Sequence, residues 1–158
     1  MSADGTDPMS IVSFAERQLK EMKYDRAYCV FDRNGHANYV QALQRISQSR
    51  LGQENRLVAI PSVPCFEIWV LLHFSYSSAP FNAVGSASAC DRVMREVQKH
   101  IPQYAKGLVT LFETLEANID RAITHARRLE EYNTANGSTN PATQMHRLVH
   151  YLKNLRPS

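Results

Sequence analysis

One short apolar run constrains this chain more than any other stretch. Residues 27–31 read Ala-Tyr-Cys-Val-Phe and lie between the charged residues Arg26 and Asp32. Five apolar residues in a row predict a β-strand covered on both faces, as in a parallel α/β sheet. In open sheets of this kind, ligands bind in the crevice beyond the carboxyl ends of the strands. The residues that directly follow the run are therefore the first candidates for a functional site.

The segments on either side of this run continue an α/β pattern. An amphipathic helix is predicted from Met9, with either Ser10 or Asp7 as its N-cap. A second helix over 37–49 and a second apolar strand over 57–60 follow the first strand. The order helix, strand, helix, strand is half of a doubly wound parallel sheet.

The next stretch, residues 61–74, is apolar apart from a few side chains. It predicts a helix capped by Ser62 and buried nearly all round, with Glu67 and His73 as its polar side chains. Such a helix could bury itself in the core of the chain or in a homodimer interface.

The remainder is predicted to be helical after a Ser-, Ala- and Gly-rich loop over 76–89. We expect one domain over 1–158, with an α/β part over 1–74 and a helical part over 75–158 that share one core. Its first helix is predicted from Ser88, which resembles a capping box with Asp91, to about 100. The second is predicted over 108–129 and the last from Asn140-Pro141 onward, with 134–139 as a break. The apolar residues expected on the inward face of the last helix are Met145, Leu148, Val149, Leu152 and Leu155.

Composition and charge narrow the function classes only slightly. The net charge of +3 and the pI near 8.8 permit a nucleic-acid partner without requiring one. Three widely separated cysteines, Cys29, Cys65 and Cys90, predict reduced, buried thiols in a cytoplasmic protein rather than a disulfide framework. The longest apolar run, 68–72, is far too short to span a bilayer, so no membrane association is expected.

Asp32, Asn34 and His36 lie at the predicted carboxyl end of the first strand. A carboxylate there is a natural ligand for Mg²⁺, which takes few protein oxygens and keeps several waters. Asn34 adds a carbonyl oxygen, and His36 suits a third ligand, a general acid or a phosphate contact. The alternative is turn chemistry alone, because Asn-Gly strongly favours a turn. The spacing leaves both interpretations open.

Glu67 is the second candidate, because an acid inside an apolar helix needs a partner, a metal or a proton. Its alternative is a structural carboxylate bonded to a backbone group or to an arginine. His73 is typical of a packed histidine at a core or its boundary. The two residues are six positions apart, so their side chains lie on different faces of the helix.

The C-terminal helices carry two further patterns. Their basic residues, among them Arg127 and Arg128, suit a track for a phosphate backbone, although a solvated helix face is the simpler interpretation. His146 and His150 have the i, i+4 spacing of a zinc pair, but no third ligand is evident. We interpret this pair as part of a solvated face.

Two stretches together resemble the RloB-like family, whose members are similar to Toprim-fold proteins of bacterial defence loci. The first is Cys-Val-Phe-Asp-Arg-Asn-Gly-His over 29–36, and the second is Ser-Val-Pro-Cys-Phe-Glu-Ile-Trp-Val-Leu-Leu-His-Phe over 62–74. The resemblance covers most of the chain from about Asp7, and the pair in this order and spacing is fairly specific. Weaker likenesses lie at 104–106, 122–126 and 140–143.

The resemblance implies metal-dependent phosphodiester chemistry of the Toprim type. In that type an acidic pair after one strand holds Mg²⁺, and a glutamate after an earlier strand acts as acid–base or ligand. Asp32 matches the first acid of the pair, and Asn34 stands at the second, where an amide removes one negative charge and weakens Mg²⁺ binding. The opening strand with its glutamate has no counterpart, which implies either a chain that begins late or a degenerate site.

The resemblance also implies a partner ATPase of the overcoming-lysogenization type and a role in phage defence by nucleic-acid cleavage. We therefore expect a Toprim-like parallel core with a helical C-terminal portion, and Mg²⁺- or Mn²⁺-dependent hydrolysis of RNA or DNA. The rival interpretation is a non-catalytic module that binds a partner protein or nucleic acid, which Asn34 and the missing glutamate favour. The residues expected to act are Asp32 and Asn34 as metal ligands, Asp32, His36 and Glu67 in catalysis, and Arg33, His73, Arg127 and Arg128 in nucleic-acid contact.

Overall fold

The structure, a computed structural model, describes residues 7–33 and 35–155. It is a mixed α/β protein with a three-stranded, mostly parallel sheet, packed helices and a helical C-terminal part, which confirms the predicted fold class. The chain divides into two compact units, with the boundary between Pro61 and Ser62. The single shared core expected over 1–158 stays a prediction.

The first unit has the order of helices and strands that the sequence predicts. Helix α1 (Pro8–Glu21) begins where the Asp7 carboxylate accepts the N–H groups of Met9 and Ser10. Hydrogen bonds from the Ser10 hydroxyl and then the Asn38 amide hold the pKa of Asp7 at about 2. The other elements are β1 (Ala27–Asp32), α2 (Tyr39–Gln48), α3 (Arg50–Gln53) and β2 (Leu57–Val63), whose last two residues belong to the second unit.

Strand β1 is covered well on one face only, so the prediction of burial on both faces was wrong. Cys29 and Phe31 are buried in a cluster with side chains of α1 and α2, whereas Val30 between them is 39% exposed. Alternate side chains of a strand point to opposite faces, and in this unit the helices cover the Cys29 face. Burial, with the Glu16 carboxylate second, raises the pKa of Cys29 to about 12, so this thiol stays protonated.

The second unit is built around helix α4 (Glu67–Leu72), whose six residues are all buried. Ile68, Trp69 and Leu72 belong to one apolar cluster, and Val70 and Leu71 belong to another. The predicted burial of this helix is therefore confirmed, and its apolar faces are used within the chain. The other elements are α5 (Ala89–Gln98), α6 (Leu111–Leu115), a 3-10 turn (Glu116–Asn118), α7 (Ile119–Asn136), β3 (Ala142–Thr143) and α8 (Met145–Lys153).

The prediction that Ser62 caps the helix after β2 was wrong. Strand β2 continues through Ser62 and Val63, which pair antiparallel with Thr143 and Ala142 of β3, in the strand order β1-β2-β3. The Ser62 and Thr143 hydroxyls are both buried and lie 2.9 Å apart in a hydrogen bond. The serine therefore satisfies its hydroxyl across the sheet instead of at a helix start.

Two helix boundaries in the C-terminal part also differ from the prediction. The last helix begins at Met145 rather than at Asn140, because the chain first adds β3 to the sheet. The Asn140 amide donates to the Phe81 carbonyl at 2.7 Å and so holds the preceding loop. The helix expected over 108–129 is interrupted by the 3-10 turn before α7. The predicted capping box of Ser88 and Asp91 at the start of α5 is confirmed.

Helix α8 faces the core along only part of its length. Met145 and Val149 pack against the apolar cluster of Ile68, Trp69 and Leu72. Leu152 and Leu155, in contrast, are each 53% exposed. The prediction that Met145, Leu148, Val149, Leu152 and Leu155 face inward was therefore wrong for Leu152 and Leu155. Leu152 lines an open groove instead of a closed core.

None of the helices in residues 7–33 and 35–155 combines the length and the apolar character that a bilayer crossing requires.

The stability contribution of the core can be tested by comparing a buried leucine, Leu129, with an exposed one, Leu152. Leu129 of α7 is 1% exposed in the apolar cluster that contains Trp69. Leu129→Ala should therefore lower the free energy of unfolding by about 2–5 kcal/mol. Leu152→Ala, at an exposed site of the same helical part, should change it by no more than about 0.5 kcal/mol. Urea unfolding of the three proteins would measure both values, and equal losses would contradict the core described above.

Candidate functional site

The candidates at the strand end lie in the first unit. Asp32 is the last residue of β1 and is half-buried, as are Arg33 and His36. The His36 N–H donates to the Arg33 carbonyl at 2.7 Å, and Gly35 has a φ of 75°, which glycine adopts without strain. Asn34 lies outside the described residues. A carboxylate at the end of the strand, followed by a tight turn, is thus the local structure of this motif.

Glu67 is buried in the second unit, where it is 3% exposed at the start of α4. The Tyr104 hydroxyl donates to its Oε1 at 3.2 Å, and the Lys106 ammonium lies 3.9 Å from the same oxygen. The Cys90 sulfur lies 3.6 Å from Oε2. Tyr104 is itself buried, whereas the Lys106 side chain is 55% exposed. The carboxylate therefore accepts a hydrogen bond from a phenol and lies beside a partly solvated cation and a cysteine sulfur.

Cys65 and Cys90 form a disulfide, so the prediction of reduced thiols was wrong for this pair. Their Cα atoms lie 5.8 Å apart, within the usual range for a disulfide. Cys65 precedes α4 and Cys90 opens α5, and 25 positions of sequence separate them. The residues next to Cys65 and Cys90 in the sequence do not indicate that the starts of α4 and α5 lie side by side. Cys29 is a free, buried cysteine, as predicted.

Cys65, Glu67 and Cys90 are also the only group of three among the described residues that places His, Cys, Asp or Glu ligand atoms within 4.8 Å of one another. Asp32 belongs to no such group in that part of the chain. Two sulfurs with one carboxylate differ from the oxygen ligands that Mg²⁺ prefers.

His73, a predicted nucleic-acid contact, is 1% exposed. Its Nδ1–H donates to the Trp69 carbonyl at 2.9 Å, and its ring lies edge-on to the Trp69 ring with 4.8 Å between the centroids. Burial lowers the pKa of His73, so the ring is neutral at physiological pH. In this structure the side chain packs within the core, and its contact with nucleic acid stays a prediction.

Arg127 and Arg128 lie on the exposed side of α7. The Arg127 guanidinium is 3.5 Å from Nδ1 of His150, and the Arg128 guanidinium lies 4.1 Å from the centre of the Tyr76 ring. Neighbouring residues on a helix point about 100° apart, so the two cations cover different parts of this surface. Both remain accessible to an anionic partner.

The predicted solvated face of His146 and His150 was wrong for His146, which is 3% exposed. Its Nε2 lies 3.1 Å from the Glu130 carboxylate, which also pairs with Arg147. Its Nδ1 is buried and has no hydrogen-bond partner among residues 7–33 and 35–155. Burial lowers the pKa of His146 and outweighs the opposing effect of Glu130. A neutral ring that donates Nε2–H to Glu130 is the state that fits these contacts.

An apolar groove of about 820 Å³ opens in the second unit between α6 and α8. Phe112 and Leu152 on its walls are 65% and 53% exposed, and Trp69 lies at its lining. Helix α4 is buried within its own unit, so it is not available as the homodimer surface that the sequence left open. The groove is an apolar surface of this unit that remains exposed.

A model of the RloB-like protein family matches residues 1–152, nearly the whole chain. The chain belongs to the RloB-like family. The membership expected from the two motifs is thereby confirmed. Searches of curated proteins and of solved structures each found no significant match.

The RloB-like motifs contain part of what sequence reasoning missed around Glu67. Tyr104 and Lys106 belong to the Tyr-Ala-Lys step that resembles the family only weakly, and no periodicity connects them to α4. Cys65 and Glu67 stand two positions apart in the stronger motif, but Cys90 lies outside it. The resemblance was the only sequence signal for the tyrosine and the lysine.

The buried histidines predict how stability depends on pH. Because burial lowers the pKa values of His73 and His146, the unfolded chain takes up protons at a pH where the folded chain does not. The free energy of unfolding should therefore be highest above the ordinary histidine pKa and fall between about pH 7.5 and pH 5.5. Urea titrations across this range measure the slope.

Replacing His146 should flatten that slope. His146→Gln removes one of the two contributing groups, so the slope should fall by up to about one proton over the same range. His150→Gln, one turn along α8 on its exposed side, is the matched control. An equal effect of the two variants would contradict the assignment of His146 as a neutral, buried ring.

Proposed function

We propose that this RloB-like protein is a Mg²⁺- or Mn²⁺-dependent phosphodiester hydrolase of a bacterial anti-phage defence system. It acts on RNA or DNA together with a partner ATPase. The observation that carries the proposal is the position of Asp32 at the carboxyl end of β1, directly before a tight turn. Strand ends of this kind are where open α/β sheets bind ligands. The resemblance of 29–36 to the metal-binding acids of Toprim proteins supplies the reaction class.

The residues at this strand end suit a hard divalent cation. Proteins hold Mg²⁺ through one or two carboxylates, while waters and substrate phosphates complete its coordination. Asp32 supplies the carboxylate, and Asn34, at the position of the second Toprim acid, is proposed as the weaker ligand. Asp32 and Asn34 would hold the metal, which would supply polarisation of a phosphoryl oxygen and activation of the attacking water.

The turn after Asp32 positions two further groups. Arg33 and His36 belong to the same turn. A hydrogen bond from the His36 N–H to the Arg33 carbonyl closes this turn. We assign Arg33 to a phosphate contact, because a guanidinium binds phosphate oxygens in a bidentate manner. His36 is assigned to a phosphate contact or to the general acid that protonates the leaving oxygen.

Glu67 has a different position in this proposal. At 3% exposure its carboxylate cannot touch a polymeric substrate without rearrangement of the surrounding core. We therefore assign it a supporting role within the second unit instead of direct contact with the scissile phosphate.

The exposed cations of α7 support binding to nucleic acid. Arg127 and Arg128 carry positive charge at the surface, and contacts of this kind bind phosphates without regard to base sequence. They position the polymer and contribute affinity that depends on salt concentration.

A non-catalytic module that binds nucleic acid or a partner protein is the second candidate. It is favoured by Asn34, which removes one negative charge from the family's acidic pair, and by the lack of a three-member ligand group around Asp32 in the described residues. The two candidates differ in metal dependence. A binding module retains its partner in the presence of a chelator, whereas a hydrolase loses its activity.

Removal of the Asp32 carboxylate tests the hydrolase. Asp32→Ala should abolish Mn²⁺ binding measured by calorimetry and reduce divalent-dependent cleavage of RNA or DNA by about 100-fold or more, because it removes the principal ligand. Asp25→Ala, an exposed aspartate that precedes the same strand, should leave both unchanged. Cleavage that is retained in Asp32→Ala would rule out the assigned site, and metal-independent binding without cleavage would favour the module.

The role of α7 is tested by the salt dependence of nucleic-acid binding. Replacing Arg127 and Arg128 together by alanine should reduce the slope of log affinity against log salt concentration by about 2, one for each phosphate contact. Arg50→Ala is the control, because Arg50 is exposed on α3 and paired with Glu54 at 2.7 Å. An unchanged slope in the double variant would exclude α7 from the interface.

A further inference from the structure

The sulfur and carboxylate atoms around Glu67 form a set of ligands that the proposed hydrolysis does not use. The atoms of Cys65, Glu67 and Cys90 all lie within 4.8 Å of one another, and all three residues are buried. Ligands on one tetrahedral zinc ion lie within about 4 Å of one another, because Zn–S is about 2.3 Å and Zn–O about 2.0–2.2 Å. Small movements of side chains would bring these three onto one ion.

The contacts of Glu67 indicate that the disulfide is not the only state for which this cluster is built. A disulfide sulfur carries no hydrogen, so the Cys90 sulfur 3.6 Å from Oε2 cannot donate a hydrogen bond to the carboxylate. Tyr104 donates to the other oxygen, and Lys106 is 3.9 Å from it. One face of a buried carboxylate thus lies against an atom that does not stabilise its charge, which is costly in a core.

We propose that reduction of the Cys65–Cys90 disulfide converts this cluster into a zinc site, with the two thiolates and the Glu67 carboxylate as its ligands. The disulfide form described here is the closed form, which cannot take the ion. This proposal does not rest on the proposed hydrolysis.

The conversion needs a dithiol reductant. Two electrons break the bond between the sulfurs of Cys65 and Cys90, and two protons complete their thiols. The two thiols of the reductant become a disulfide in the same exchange, so electrons and protons balance. Zinc then displaces the protons of both thiols, because only thiolates bind the ion.

The charges of the cluster balance around a divalent ion. Two thiolates and the carboxylate carry three negative charges, and Zn²⁺ with the nearby Lys106 ammonium carries three positive ones. Without the metal, the reduced cluster keeps its thiols protonated. Thiolates select zinc over Mg²⁺, whose preferred ligands are oxygens. The remaining tetrahedral position is left for water or for another ligand.

Co²⁺ is the probe that separates this site from an oxygen site. Thiolate-bound Co²⁺ gives an intense near-ultraviolet absorption that carboxylate and amide ligands do not give. The full chain, reduced with a phosphine and held without oxygen, should develop this absorption at one equivalent of Co²⁺ and lose it when Zn²⁺ is added. The same chain with its disulfide intact should show none.

Variants assign the ligands. Cys65→Ser and Cys90→Ser should each abolish the absorption, and Glu67→Gln should weaken Co²⁺ binding at least about 10-fold, as loss of a ligand requires. Cys29→Ser removes the free cysteine outside the cluster and should bind as the wild type does. Circular dichroism of each reduced protein reports whether it is folded.

A second readout does not depend on substitution at the site. Zinc should slow alkylation of Cys65 and Cys90 in the reduced wild type at least about 10-fold, and should do so much less in Glu67→Gln. Absence of the thiolate absorption in the reduced wild type would overturn the proposal, whether that protein is folded or has unfolded on reduction. Equal binding by Glu67→Gln and the wild type would remove the carboxylate from the ligand set.

Discussion

A carboxylate buried at the start of an apolar helix is the constraint on which the second unit depends. Glu67 opens α4, and every residue of that helix is buried between two apolar clusters. A charge in such a place must be stabilised by nearby groups. Tyr104 and Lys106 stabilise it from another segment of the chain, and the Cys90 sulfur of a third segment lies beside it. Packing around α4 therefore has to be correct for both the apolar clusters and this polar contact at once.

Other buried polar side chains of the second unit have similarly specific hydrogen-bond partners. His73 donates to a carbonyl of its own helix, and His146 pairs with Glu130 from α7. The hydroxyls of Ser62 and Thr143 bond each other across the sheet. Because a buried polar group without a partner is costly, each pair favours one arrangement of the elements that carry it. The cations of Arg127 and Arg128 remain at the surface, where a polymer can reach them.

Local sequence patterns predicted where helices and strands begin more accurately than they predicted strand pairing and side-chain burial. The Asp7 cap of α1, one of two that the sequence allowed, the run of β1 and the Ser88–Asp91 capping box all depend on neighbouring residues, and the structure contains all three. The start of α8 was wrong because Ala142 and Thr143 pair with β2, about 80 positions earlier in the chain. Exposure of Val30 was missed for a related reason, since composition does not show which face of a strand the helices cover.

The features of the candidate sites likewise fall into those that local sequence determines and those that depend on tertiary packing. By itself the sequence determined the two strands of the first unit and the helices beside them, the aspartate at the end of β1, the RloB-like motifs and the burial of α4, because propensity, capping and periodicity act between near neighbours. Only the tertiary structure decided that Cys65 meets Cys90 beside Glu67, and that His146 is buried against Glu130. These contacts join residues 16 to 25 positions apart on different elements. Their formation depends on how whole helices pack, which no local pattern of residues encodes.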